Sequence, residues 1–268
     1  MTKYRVQFFY VFLLTALVVS FSSCNNDRKR LENYVALLNK QCPYPVDAFG
    51  KCVSVKLVDD TIVYTCQTDG LGNKLPLEKL KSQKPLLVKA TELGLLLNQS
   101  QSSLDKLLNS GVDLKYDVRD TKSKPLFNFT LRNDSLKQLQ QRYTNRDEMR
   151  LEHLKLQTDI SNIMLPIQVD EYSLFIHQEI TATDLVYTYT VDEDKMGMPL
   201  TMLKKEEANI RNAIAKSWTS TPTLRKEARL LAKLNRGVVY HYEGKPSGGT
   251  FEVRFTPKET ATMLAGSE

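Results

Sequence analysis

The chain is poor in the residues that most enzyme sites are built from. Of 268 residues, three are histidine, four are cysteine and one is tryptophan. His153, His177 and His241 stand far apart, and none has the His-x-x-x-His spacing of a helical zinc site. No spacing along the chain points to a cysteine–histidine dyad. Gly244-Lys245-Pro246-Ser247-Gly248-Gly249 lacks the Gly-Lys-Ser/Thr ending of a phosphate loop and reads as a turn. Asp192-Glu193-Asp194-Lys195-Met196-Gly197 opens like a calcium loop, but Met196 fills the fifth ligand place and Leu203 the twelfth, where a bidentate glutamate belongs. It too reads as a polar turn. No nucleic-acid motif occurs, and neither a metal nor a cofactor is expected.

Long hydrophobic runs are also scarce. One exists, from Phe8 to Val19, interrupted only by Thr15 and preceded by Lys3 and Arg5. As a helix it spans about 18 Å, short of a bilayer core of about 30 Å. A basic start, a short apolar run and small residues make a signal peptide. Phe21-Ser22-Ser23-Cys24 closes it and resembles the lipobox of bacterial lipoproteins, with Phe21 where leucine is usual. The resemblance implies cleavage before Cys24, a lipid thioether on its sulfur and an acylated new amine. Several acyl chains hold firmly, since each buried CH₂ adds about 0.8 kcal/mol. An uncleaved anchor or a plain secretory peptide is the alternative. Only Asp27 is acidic in the five residues after Cys24, so no acidic surface-export tag is present. The expected place is the outer membrane, facing the periplasm.

At 41% hydrophobic and 25% charged, the rest of the chain has ordinary soluble composition. Net charge is +6. Residues 204–236 alone carry nine bases against three acids, among them Arg225, Lys226, Arg229, Lys233 and Arg236. Such a segment is either a cationic face for anionic headgroups or an acidic partner, or a pair of solvated helix faces.

Internal repetition organises the chain. Residues 42–69 align without a gap on 165–192, an offset of 123. Pro43, Val46, Asp47, Val63, Tyr64, Thr65 and Asp69 match Pro166, Val169, Asp170, Val186, Tyr187, Thr188 and Asp192. After a three-residue insertion, Asn109, Gly111 and Val112 match Asn235, Gly237 and Val238, and Phe127, Phe129 and Leu131 match Phe251, Val253 and Phe255. The expected division is a signal peptide at 1–23 and two repeats at 24–144 and 145–268.

Each repeat reads as α-ββ-αα-ββ. Residues 27–41 have helical periodicity. Residues 52–57 and 62–67 alternate in period two, as strands do. Placing Val53, Val55 and Leu57 inward against Ile62, Tyr64 and Cys66 gives a two-residue turn at Asp59-Asp60. Helices are expected over roughly 76–109 and 199–235, broken at Pro85 and Pro222, with Gly111 and Gly237 as left-handed caps. Second hairpins follow at 112–131 and 238–255. The fold class is α+β, two antiparallel sheets covered by helices. The spacing Pro-x-x-Val-Asp, then Val-Tyr-Thr, then Gly-Val resembles a group of uncharacterised exported bacterial domains, which brings no catalytic residues with it.

With Cys24 lipidated, Cys42, Cys52 and Cys66 remain. The strand register puts Cys66 inward and Cys52 on the other face. Cys42 and Cys66 replace Leu165 and Tyr189, so both should be inside, as a disulfide or as buried thiols. Asp47 and Asp170 read as turn carboxylates present once per copy, or as a paired acid. The hairpin tyrosines and Trp218 either line a binding face or, as aromatic residues of strands more often do, pack as core with the hydroxyl at the edge. Two functions compete: a non-catalytic envelope binding module for a protein or glycan, and an envelope hydrolase assembled from Asp47, Asp170, His177 or His241.

Overall fold

The computed structural model describes residues 27–46, 50–68 and 77–265; Cys24, Asp47 and Asp69 lie outside them. By its contacts the chain divides into two compact units, one reaching Met149 and one starting at Arg150.

The first unit begins with α1 (Asp27–Lys40), then β1 (Tyr44–Val46), β2 (Gly50–Val58) and β3 (Thr61–Gln67). Ile62, Tyr64 and Cys66 alternate inward along β3, the period-two pattern of a half-buried strand. The β2–β3 turn falls at Asp59-Asp60, with Val58 paired to Thr61, as the alternation predicts. Helices α2 (Leu77–Ser82), α3 (Lys84–Asn98) and α4 (Gln101–Ser110) follow. Pro85 lies in the first turn of α3, where its missing N–H costs nothing, so the break comes just before it. Ser100 caps α4, its hydroxyl accepting the Ser103 N–H at 3.2 Å. Strands β4 (Asp113–Arg119) and β5 (Pro125–Leu131) and helix α5 (Asn133–Arg142) complete the unit.

The second unit repeats this order. Helix α6 (Arg146–Ile163) leads to β6 (Ile167–Gln168), β7 (Ser173–Ile180) and β8 (Asp184–Asp192). A short α7 (Glu193–Met196), a 3-10 turn (Leu200–Glu206), α8 (Glu207–Ser220) and α9 (Pro222–Lys233) precede β9 (Gly237–Lys245), β10 (Thr250–Phe255) and α10 (Pro257–Ala265).

The fold is α+β, with one five-stranded sheet per unit, in the orders β1-β2-β3-β4-β5 and β6-β7-β8-β9-β10. The expectation of four antiparallel strands needs two changes. The short β1 and β6 add an edge strand to each sheet. The central pairs β3–β4 and β8–β9 run parallel, because a helical crossover between the hairpins returns the chain in the same direction. All other neighbours are antiparallel. A β-bulge interrupts β2 between Cys52 and Ser54, and another interrupts β7 between Phe175 and His177, the same place in each repeat.

The bulge corrects the placement of Cys52. Val53 is the extra residue, so Val55 pairs with Tyr64 and Cys52 with Cys66. Cys52 therefore shares the inner face with Cys66, and both are buried. The glycine match is also corrected. Gly111 does cap α4 at φ 71°, but the residue with the matching backbone after α9 is Asn235, at φ 51°. The paired rows Tyr64–Tyr116 and Tyr187–Tyr240 show why: Tyr116 corresponds to Tyr240, and the same step carries Gly111 to Asn235. Asparagine tolerates the left-handed region better than most residues. Gly237 instead opens β9, where a Cβ would lie 2.5 Å from both the Phe255 carbonyl oxygen and Asp184 Oδ1.

The inner faces of the sheets bury the core. In the second unit Phe175, Leu185, Tyr187, Val191, Val253 and Phe255 pack against Leu154, Trp218, Ala228 and Leu231. Among the described residues, no helix is long and apolar enough to cross a membrane.

Candidate functional site

Alternation along β8, β9 and β10 sends one set of residues into the core and the next outward. The inward row includes Tyr187, Tyr240 and Val253; the adjacent outward row is His177, Thr188, His241 and Glu252, paired in that order across four strands. The β7 bulge brings His177 opposite Thr188. His241 Nδ1–H donates to Glu252 Oε1 at 2.8 Å, and Nε2 lies 3.5 Å from Glu243 Oε1. The His241 side chain is 25% exposed and the two glutamates about half exposed, so a partner can reach the group. Such an imidazole presents an N–H held by the Glu252 carboxylate and a second nitrogen facing Glu243. It can take a polar ligand, or act as a base oriented by Glu252.

The matching row in the first sheet is Ser54, Thr65, Asp117 and Asn128. There Arg119 folds back on Asp117, Nη2 to Oδ2 at 2.7 Å. Both sheets thus carry a polar row on the outward side, and the imidazole belongs to the second alone.

The cationic residues are less uniform than their spacing implies. Arg229 and Lys233 are exposed on α9. Arg225 turns onto the Thr219 carbonyl, Nε donating at 3.1 Å, and Arg236 donates to the Thr181 carbonyl. The Lys226 side chain lies outside the described residues. Glu227, between them in sequence, is buried.

Asp170 is a turn carboxylate. Its Oδ1 accepts the N–H groups of Tyr172 at 3.0 Å and Ser173 at 2.6 Å. The structure therefore does not assemble Asp170, His177 and His241 into one constellation: Asp170 serves its turn, and His241 serves Glu252. His153 is buried on α6. Trp218, Tyr64, Tyr116, Tyr187 and Tyr189 are buried, and Trp218 Nε1 donates to Tyr240 Oη. The calcium-like stretch, expected as a polar turn, is the short helix α7, capped by Asp192 Oδ1 through the Lys195 N–H and closed by Gly197 in the left-handed region. Glu193 is buried and accepts from Leu200 N at 2.7 Å, Ser247 N at 2.9 Å and Ser247 Oγ at 2.8 Å. These bonds hold its carboxyl below the usual glutamate range, the Leu200 N–H contributing most. Among the described residues, no group of three or more His, Cys, Asp or Glu is placed to hold a metal ion.

Cys42, Cys52 and Cys66 are free thiols, so of the two readings for Cys42 and Cys66, a disulfide or thiols, the structure holds thiols. Cys42 is half-buried, and its Sγ donates to the Leu38 carbonyl at 3.6 Å.

The pairing of His241 with Glu252 was readable in the sequence. A hairpin of strands 238–242 and 250–255 must set residues near 241 against residues near 252. Histidines compared only by spacing along the chain do not show it.

No family model matches the chain. No curated protein matches it. Among solved structures, a protein of Pseudomonas aeruginosa described as secreted is similar over 42% of this chain and 95% of its own, at 14% identity and a TM-score of 0.35. The pilotin of the Vibrio vulnificus type 2 secretion system is similar over 42% of this chain and 97% of its own, at 15% identity and a TM-score of 0.28.

Proposed function

We propose that the chain is a lipid-anchored envelope protein that binds a protein or glycan through the outward face of its second sheet. The anchor rests on the short apolar run and on Phe21-Ser22-Ser23-Cys24. The observation that carries the binding reading is the outward row His177–Thr188–His241–Glu252. Four strands hold those side chains in fixed register, which lowers the ordering cost of binding. Arg229 and Lys233 supply a separate cationic spot that would meet anionic headgroups or an acidic partner.

A second reading is favoured by the 2.8 Å His241–Glu252 bond, in which His241 is the base of an envelope hydrolase. Partner capture from crosslinked cells separates the two. Binding through the row predicts loss of the captured partner with His241→Ala combined with Glu252→Gln. Arg229→Glu with Lys233→Glu should leave that partner in place. Unchanged capture by the row variant contradicts the proposal. Release of a product from envelope glycan or peptide by the wild type, abolished by His241→Ala, would establish the hydrolase instead.

A further inference from the structure

Three thiols and a phenol meet at one end of the first sheet. Cys52 on β2 and Cys66 on β3 are Cα partners in an antiparallel ladder. Such partners stand about 4.5–5.5 Å apart at Cα, inside the range of about 4.4–6.8 Å that a disulfide spans. Tyr44 on β1 is the partner of Cys52 on its other side. Cys42 lies just before β1, two residues from the Cys52 partner Tyr44, near enough that each thiol shifts the other's acidity. Tyr44 Oη is buried and makes no ordinary hydrogen bond; the Cys52 sulfur is its polar neighbour. Cys52 Sγ donates to the Ser54 carbonyl across the bulge at 3.4 Å.

The second unit shows that the fold does not need thiols here. Phe175 and Tyr189 occupy the places of Cys52 and Cys66 and stack with centroids 5.0 Å apart. Leu165 stands in the place of Cys42. One copy fills this space with apolar contact; the other fills it with three sulfurs.

We propose that Cys52 and Cys66 are a redox pair, oxidised to a cross-strand disulfide by a small-molecule or protein disulfide that enters through Cys42. Access sets the order, because Cys52 and Cys66 are at most 1% exposed while Cys42 is half-buried. The Cys42 thiolate attacks the donor disulfide, forming a mixed disulfide and releasing one donor thiol. The Cys52 thiolate then attacks the Cys42 sulfur, and the second donor thiol leaves. Finally the Cys66 thiolate attacks the Cys52 sulfur, closing Cys52–Cys66 and returning Cys42 to the thiol. Two protein thiols lose two protons and two electrons, and the donor disulfide becomes two thiols. The electrostatics suit this order. Burial and the neighbouring Cys52 raise the Cys42 thiol to about 11, so entry is slow. The neighbouring Cys66 thiol foremost, outweighing burial, with Tyr44 and Cys42 adding to it, brings Cys52 down to about 7 and makes it the readiest internal nucleophile.

The test uses the full-length chain carrying Cys24→Ser, reduced, then equilibrated in oxidised and reduced glutathione. Alkylation after denaturation, with peptide mapping, reads the product. The expected result is loss of two alkylatable thiols, a Cys52–Cys66 linked peptide and a free Cys42. Cys42→Ser should slow the reaction without changing its product, and Cys66→Ser should trap a disulfide between Cys42 and Cys52. Oxidation in urea is the folding control. There the shorter Cys42–Cys52 loop should compete, so a Cys52–Cys66 preference confined to the folded chain supports the proposal. A folded protein that keeps all three thiols, or that ends with Cys42 linked to either partner, overturns it.

Discussion

Tyr187 stacks on Tyr240 across the parallel strands β8 and β9 with ring centroids 5.2 Å apart, as Tyr64 stacks on Tyr116 across β3 and β4 at the same spacing. The parallel joint at the centre of each sheet is thus made twice with one pair of residues. Offset-stacked rings contribute roughly 0.5–1.5 kcal/mol beyond the area they bury. The rings sit where the two hairpins of a unit meet, so they couple local hairpins to the non-local pairing.

Those rings predict an alkaline transition. Burial raises Tyr64, Tyr116, Tyr189 and Tyr240 far above the usual tyrosine range, and Tyr242 from 10.0 to about 12. Each then favours the neutral form in the folded state. For Tyr242 the stabilisation is complete below pH 10 and is lost as pH rises toward 12. Tyrosinate absorbance of the buried rings should therefore rise together with loss of circular dichroism. Full tyrosinate absorbance in a chain that keeps its folded spectrum would contradict this.

The two glycines once expected to be equivalent should respond differently to alanine. Gly111 is in the left-handed region with no atom within 4 Å of an added Cβ, so Gly111→Ala should cost about 1 kcal/mol through backbone strain alone. At Gly237 the added Cβ meets a backbone carbonyl and Asp184, so the loss should sit near the top of the roughly 1–3 kcal/mol range for overpacking. Denaturant unfolding measures both. A smaller loss at Gly237 than at Gly111 would mean that β9 shifts freely at its start.

Much of the fold is legible in the sequence because its signals are local. The alternation at 62–66, the turn at Asp59-Asp60 and the proline-headed α9 needed only neighbouring residues. The bulge at Val53 escaped for a physical reason. Val53, Val55 and Leu57 are equally apolar, and an extra residue changes which face a side chain takes without leaving a mark on composition. The parallel pairs escaped because alternation is the same in parallel and antiparallel strands. Of the site, His241–Glu252 follows from hairpin register. The meeting of Cys42, Cys52 and Cys66 depends on the bulge, and it could not be read without it.

Glu193 gives a prediction at low pH. Its carboxylate holds the Ser247 turn and the start of the 3-10 turn, and the hydrogen bonds it accepts, that of the Leu200 N–H foremost, lower its folded-state pKa below the usual glutamate value. A lowered carboxyl stabilises above the unfolded pKa and loses that effect as pH falls through the folded one. Glu193→Gln should therefore lower Tm at neutral pH, with the gap to wild type narrowing on acidification. A gap that does not change with pH would show that charge has no part in the contact.

Metabolic labelling with radioactive palmitate tests the proposed lipid anchor on Cys24 most directly. Wild type should take up label and fractionate with membranes. Cys24→Ser should take up none and appear as an unprocessed or soluble form. Labelling of the Cys24→Ser chain at the wild-type level would contradict the account.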